Sequence, residues 1–187
     1  MKIICLEGCH GVGKTEIISR LAAKGYSTIG EGFLDMSPST VLQPQGYLVE
    51  LLWVAKWIET VIALTKSSRD EVIFADRSPY SAAVYAREGF AELKSAIDLA
   101  LLRLEAEVGI KVQIIRVDVE PKCLWQRISR RLEREPARRA YREDDKVWMD
   151  KVVGIYRNLI RSDFVISNDG NGSVVKTAED ISRLVFQ

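Results

Sequence analysis

Apolar residues follow two rhythms along the chain. Short unbroken runs, such as Ile3-Ile4-Cys5-Leu6 and Val72-Ile73-Phe74-Ala75, read as buried strands. Longer stretches with apolar positions three and four apart read as helices. Residues 2–7 form a strand that ends at a glycine cluster. A helix is predicted from Lys14 to about Ala23, with Ile17, Ile18 and Leu21 on its apolar face and Gly25 as its stop. Tyr26 to Gly30 is a second strand that leads to Glu31-Gly32. Pro38, Pro44 and Gly46 mark residues 33–46 as loop. A long helix follows over about 47–66, with Leu48, Leu51, Leu52, Ala55, Ile58 and Ile62 as its predicted buried stripe. The third strand ends with Asp76 at its carboxyl end. Ser78-Pro79 reads as a helix cap followed by proline at the first helical position. An amphipathic helix over 91–107, a strand from Lys111 to Val119 and a helix opened by Pro121 come next. A helix over 144–161, a strand at 164–167 and a last helix from Thr177 complete the pattern. Five strands separated by helices predict an α/β fold, a parallel sheet with helices on both faces.

Composition narrows the class. The chain has 187 residues, room for one domain with a proper core over 1–187. Apolar residues make up 47% and charged residues 28%, as in ordinary globular proteins. The net charge of +1 supplies no global field for nucleic acid or an anionic membrane, so neither is expected as a partner. Cys5, Cys9 and Cys123 lack metal-ligand spacing and read as free thiols of a reducing compartment. The first apolar run is too short for a signal peptide, and charges interrupt every stretch before it reaches membrane-spanning length. A cytoplasmic protein is the expectation.

The strongest chemical signal is Gly8-Cys9-His10-Gly11-Val12-Gly13-Lys14-Thr15, which fits the phosphate-loop pattern in full, between a strand and a helix. Glycines let backbone N–H groups turn inward around a phosphate, and the helix N-terminus adds positive potential. The expected ligand is ATP with Mg²⁺. Gly8, Gly11, Val12, Gly13, Lys14, Thr15 and Glu16 form the predicted binding set. Lys14 would bridge the β- and γ-phosphates and the Thr15 hydroxyl would ligate Mg²⁺. His10, the one histidine, and Cys9 read as loop residues that shape the acceptor side, because phosphoryl transfer needs positioning and charge neutralisation more than an imidazole.

Carboxylates supply the second half of a site. Asp76 lies on the ligand-binding edge of a parallel sheet, where it can hold Mg²⁺ opposite Thr15. Arg77 beside it would reach the transferring phosphate or the acceptor oxygen. Glu31 ends the second strand on the same edge and bears on the acceptor. A neutral hydroxyl attacks better if a carboxylate takes its proton. A phosphate acceptor needs no base and wants arginine clamps. Gln43, Gln45, Trp53 and Trp57 are candidates to approach a base.

Arg127, Arg130, Arg131, Arg134, Arg138, Arg139 and Arg142 crowd one segment with Glu133, Glu135 and Glu143. A nucleic-acid patch and a solvated helix face are both conceivable. Beside a phosphate loop, the favoured reading is a lid over about 127–142 that closes on ATP and excludes water. Arg127 could stack on adenine, and Arg130, Arg131 or Arg134 are candidates for the phosphates.

These residues resemble the P-loop nucleoside and nucleotide kinases, the deoxynucleoside kinase and thymidylate kinase branch, over nearly the whole chain. The resemblance rests on Leu6-Glu7-Gly8 before the loop, Glu31, Asp76-Arg77-Ser78-x-Tyr80-Ser81, and Val119-Glu120-Pro121 followed by Arg127-Ile128-x-x-Arg131. It implies a three-layer P-loop NTPase-type sandwich with strand order 2-3-1-4-5, an arginine lid and ATP-dependent phosphorylation. It also implies catalytic roles for Lys14, Glu31, Asp76, Arg77 and Arg131, and long helices that could pair into a homodimer. Glu31 and the Asp-Arg-Ser motif look like a deoxynucleoside kinase. His10 stands where thymidylate kinases usually carry an aspartate, whereas Arg142-Glu143-Asp144-Asp145 leading to Tyr156 looks more like that branch. The acceptor is therefore expected to be a nucleoside, with a nucleoside monophosphate as the alternative. A nucleic-acid 5′-end kinase and a regulatory ATP-binding module are the non-metabolic alternatives.

Overall fold

The computed structural model describes residues 1–32, 42, 45–169 and 173–185. Its sheet has five strands: β1 (Lys2–Glu7), β2 (Thr28–Ile29), β3 (Val72–Asp76), β4 (Lys111–Asp118) and β5 (Phe164–Ser167). Their order is β2-β3-β1-β4-β5 and every pairing is parallel, as expected. Leu6 on the central strand lies opposite Asp76 on one side and Ile115 on the other. This register brings the phosphate loop and Asp76 to one carboxyl edge.

Alternate strand residues divide the core into two layers, as the two-residue period of a strand dictates. Ile4, Leu6, Phe74, Ile115 and Val117 face α1 (Lys14–Ala23), α5 (Pro121–Arg134), α6 (Lys146–Asn158) and α7 (Ser173–Val185). Ile3, Cys5, Ile73, Ala75 and Ile114 face the other layer. That layer holds α2 (Tyr47–Ser67) and α4 (Phe90–Arg103), which runs on into a π turn over Leu104–Val108. The three-layer α/β sandwich is thus present. Among the described residues no helix is long and apolar enough to cross a membrane.

Three details differ from expectation. β2 pairs over two residues rather than five, because it is an edge strand that follows only the end of β3. The last helix opens at Ser173, four residues before Thr177. The largest difference is the face of α2. Glu50, Trp53, Val54, Trp57 and Val61 are buried, whereas Leu48 and Leu52 are 56% and 55% exposed and Leu51 and Ala55 also face outward. Apolar residues surround this helix almost completely, so spacing alone offers two stripes. Rolling the helix to bury two indole rings removes more apolar area from water than burying leucines. It also carries one carboxyl inward, that of Glu50.

α3 (Tyr80–Tyr85) begins at the Ser-Pro pair but one residue later than expected, with Pro79 at the cap position rather than the first helical one. Pro79 is already in the right-handed helical conformation, and Ser78 Oγ accepts from Tyr80 N at 3.2 Å.

Candidate active site

The loop after β1 turns on Gly8, Gly11 and Gly13, at φ of 137°, 85° and 95°. A methyl group on Gly8 would stand 2.5 Å from the Val117 carbonyl oxygen, so the close approach of loop and β4 requires glycine there. The Val12 side chain is buried in the core, and its carbonyl accepts from Asn168 Nδ2 at 2.7 Å, which anchors the loop from beneath. Gly13 precedes α1 without a side-chain cap, so the first N–H groups of the helix are left for an anion. Lys14 is 5% exposed and its Nζ donates to Gly8 O at 2.8 Å and Cys9 O at 3.0 Å. Burial, reinforced by the Arg77 guanidinium, pulls its pKa down to about 8, against the opposing pull of Asp76, Glu7 and Glu31. Glu16 lies at the cleft and pairs with Arg20 at 2.9 Å.

Asp76 and Thr15 meet as expected: Thr15 Oγ1 donates to Asp76 Oδ2 at 2.6 Å. Asp76 Oδ1 is buried with no hydrogen-bond partner among the described residues. An orphaned carboxylate oxygen beside a hydroxyl suits a hard divalent cation. Among the described residues no group of three or more His, Cys, Asp or Glu side chains forms a cage. One carboxylate, one hydroxyl and the phosphates of a nucleotide are the usual surroundings of Mg²⁺, so Thr15 and Asp76 fit that ion.

Arg77 departs from β3 at φ 82°, a conformation costly for a residue with a side chain. Several contacts hold it there. Its N–H donates to Leu6 O at 3.1 Å, its Nε to Glu31 Oε1 at 2.6 Å and its NH1 to Ser81 Oγ at 3.2 Å, and the guanidinium lies over the Tyr85 ring. Burial pushes the Glu31 carboxyl up, but Arg77 and Lys14 outweigh it and the net pKa is below the usual carboxylate range. Glu31 is therefore ionised at neutral pH.

Beneath this pair sits Glu7, fully buried, whose role the sequence did not single out. Its carboxylate accepts from Ser78 N, Ser78 Oγ, Ser81 Oγ and Tyr156 OH at 2.7–2.9 Å. Those partners had appeared only in separate motifs. Glu7 ties β1, α3 and α6 together under Arg77. Glu7→Ala removes the acceptor of four donors in the core. It is expected to destabilise the fold by about 3–5 kcal/mol, read as a lowered denaturation midpoint. A midpoint like that of the unaltered protein would show the hub to be dispensable.

His10 is 3% exposed. Its N–H donates to Tyr85 OH at 2.9 Å, and its Nε2 is buried with no partner among the described residues. Burial and the nearby Arg131, Arg77, Lys14 and Arg138 lower its pKa to about 3, so the ring is neutral. Burial raises the Cys9 thiol to about 12, which makes it a poor nucleophile.

Of the seven arginines, five line the cleft over the loop: Arg127, Arg130, Arg131, Arg134 and Arg138. The cleft encloses about 730 Å³. Arg131 is held by Glu143, and its Nε is buried without an acceptor among the described residues. Arg127 NH2 donates to Asn168 O at 2.9 Å. Arg138, on the 3₁₀ turn Pro136–Tyr141, pairs with Glu135 and Glu143. Arg142 stacks on Trp148, and neither it nor Arg139 borders the cleft.

A second pocket opens from this cleft. His10, Glu31, Arg77 and Arg138 line both spaces, and Gln45, Glu50, Trp53, Tyr85, Tyr141 and Glu143 belong to the second alone. Of the residues expected near a base, Gln45 and Trp53 border this pocket. Trp57 is buried in the core and does not. Gln43 lies outside the described residues.

A glycine loop, an uncapped helix start, a hydroxyl–carboxylate pair suited to a cation and an arginine-lined cleft on one sheet edge define a P-loop nucleotide-binding protein. The profile of the AAA domain family matches residues 3–143, most of the chain, and the protein belongs to that family. No curated protein matches the sequence. Among solved structures, the chain is similar to the YorR protein of Bacillus subtilis in complex with phosphorylated GDP. The identity is 21% over 98% of this chain and 95% of that one, with a TM-score of 0.59. It is also similar to the deoxyadenosine kinase of M. mycoides with dCMP and dCDP bound, at 16% identity over 99% and 98% of the two chains and a TM-score of 0.56. A shikimate kinase of Bacteroides thetaiotaomicron aligns at 12% identity over 99% and 98%, with a TM-score of 0.62. At such identities the likeness establishes the fold, which is that of the P-loop kinases.

Proposed function

We propose that this protein transfers the γ-phosphoryl group of ATP to the 5′-hydroxyl of a nucleoside. The observation that carries the reading is the position of Glu31, ionised and lining both the arginine cleft and the second pocket. ATP would lie in the cleft with its phosphates on the loop. Lys14 would exchange its two carbonyl partners for phosphate oxygens. Arg131, with its free Nε, would meet the charge that develops in transfer. A bound Mg²⁺, held by Thr15 and Asp76, would neutralise phosphate charge.

The acceptor would enter the second pocket with its hydroxyl at the junction. Its oxygen forms a bond to the γ-phosphorus as the bond to the β–γ bridging oxygen breaks, and ADP leaves with that electron pair. The hydroxyl proton passes to Glu31. Arg77 keeps this carboxylate oriented and ionised at the cost of some basicity, which suits a base that acts late in a loose transition state.

The second pocket argues for a neutral acceptor. It holds three acidic side chains, Glu31, Glu50 and Glu143, and its two cations are already engaged, Arg77 by Glu31 and Arg138 by Glu135 and Glu143. A phosphate there would have to displace carboxylates. Within this pocket the monophosphate reading draws its support from Arg138, beside the sequence likeness of Arg142-Glu143-Asp144-Asp145. An acceptor panel decides between them: deoxynucleosides and their 5′-monophosphates, each with ATP and Mg²⁺. Nucleosides are expected to be phosphorylated. Turnover of monophosphates alone would replace this reading with the other.

A further inference from the structure

Glu50 is the group in the second pocket that has no explanation in the phosphoryl-transfer chemistry. It sits on the buried face of α2, is 1% exposed, and lines the pocket beside Trp53 and Gln45. Its Oε1 is buried with no hydrogen-bond partner among the described residues. A carboxyl left unpartnered in a protein interior is costly unless a ligand completes it.

We propose that Glu50 reads the acceptor's base, and that it selects a base whose edge sets a ring nitrogen beside an amino group, as adenine and cytosine do.

The chemistry follows from the state of the carboxyl. Among the described residues no cation forms an ion pair with Glu50, and burial raises its pKa to about 8, with Arg77 pulling the other way. At neutral pH it is mostly the acid. A carboxylic acid carries one O–H donor beside one carbonyl acceptor. Its O–H is a strong donor and seeks a basic partner. A ring nitrogen next to an amino group supplies that base and returns a donor to the carbonyl oxygen. The lactam edges of thymine and guanine present an N–H and a carbonyl oxygen, a weaker acceptor. Trp53 offers a flat apolar surface in the same pocket, suited to a base.

The inference rests on a nucleoside as acceptor. Its signature is a pH dependence. The groups that line the pocket with Glu50 are Glu31 from the segment after β2, His10 from the phosphate loop, Arg77 from the turn after β3, Tyr85 from α3, Arg138 and Tyr141 from the 3₁₀ turn Pro136–Tyr141, and Glu143 just after that turn. Glu31 stays ionised, His10 neutral and Arg77 cationic near neutral pH, and burial holds the Tyr85 phenol protonated. Lys14, which titrates near 8, borders the phosphate cleft and not this pocket. Acceptor binding without ATP therefore isolates Glu50.

The experiment is calorimetric titration of the full chain with deoxyadenosine, deoxycytidine, thymidine and deoxyguanosine at pH 6.5 and, for the first two, at pH 9. Deoxyadenosine or deoxycytidine is expected to bind best. Its affinity should fall roughly tenfold from pH 6.5 to 9, because a group with pKa near 8 is about one-tenth protonated at the upper value. Glu50→Gln stays neutral at both pH values and should bind with no such fall. Glu50→Leu, of similar size, should lose roughly tenfold at pH 6.5. If the leucine variant does not fold, the glutamine variant still decides the matter. A pH-independent affinity in the unaltered protein, the same fall in Glu50→Gln, or a preference for thymidine or deoxyguanosine would overturn the proposal. Binding and phosphorylation of nucleosides with Glu50 indifferent would sink this inference alone. Binding of ATP with no nucleoside bound would sink the nucleoside reading as well.

Discussion

Glu31→Gln is expected to lower nucleoside phosphorylation by roughly 10²–10⁴ while ATP affinity stays near that of the unaltered protein. Glutamine keeps the shape of the side chain and an oxygen for Arg77 Nε, but it cannot accept a proton. The loss should therefore fall on turnover rather than on acceptor KM. The pH profile carries a second signature. The Glu31 pKa lies below the usual carboxylate range because Arg77 and Lys14 outweigh its burial. Activity should persist into acid until that carboxylate protonates, and this acid limb should vanish in Glu31→Gln. Glu31→Asp, which retains the base at a shorter reach, should recover part of the rate. Unchanged turnover in Glu31→Gln would remove Glu31 from the mechanism.

Lys14→Met is expected to lower turnover by on the order of 10²–10³ and to weaken ATP binding. The Nζ is held by Gly8 O and Cys9 O, so the loop itself presents the cation to an incoming phosphate. Methionine fills the same channel without charge. The fold should tolerate the change, because losing two hydrogen bonds to carbonyls is offset by no longer burying an ammonium group. A melting midpoint close to that of the unaltered protein, together with the lost turnover, would locate the effect in chemistry. Full activity with a lowered midpoint would reduce Lys14 to a structural tie.

Where sequence reading succeeded, one physical signal dominated. β1 and β3 are unbroken apolar runs because both of their faces are covered, and such runs are unambiguous when glycines or an aspartate end them. The phosphate loop is equally legible, since a turn that points its N–H groups inward demands glycines at fixed intervals. Asp76 and Thr15 met as expected because Asp76 ends β3 and Thr15 opens the helix that follows β1, and parallel topology sets those two strands side by side.

Reading failed where two signals competed. α2 is apolar on nearly every side, so the leucine stripe looked as good as the tryptophan one. Only packing against β1, β3 and α4 chose between them. The same ambiguity hid Glu50, which interrupts the apolar pattern of a face that had not been picked. Glu7 was passed over for another reason. Its four donors come from positions 78, 81 and 156, and no local pattern announces a hub whose partners lie more than 70 residues away. The arginine segment was half legible. Its charge pointed to phosphate, but which arginines reach the cleft depends on the helical phase of α5 and on the turn that follows it.

The central claim is that Glu31 and the phosphate loop face each other across one reaction space, with a hydroxyl as acceptor. The most direct test follows the label from ATP carrying ³²P at the γ position, mixed with Mg²⁺, the protein and a deoxynucleoside. Label is expected on the nucleoside as its 5′-monophosphate, in step with ADP, with little released as inorganic phosphate. Label found only in inorganic phosphate, or on an added nucleoside monophosphate but never on a nucleoside, would contradict it.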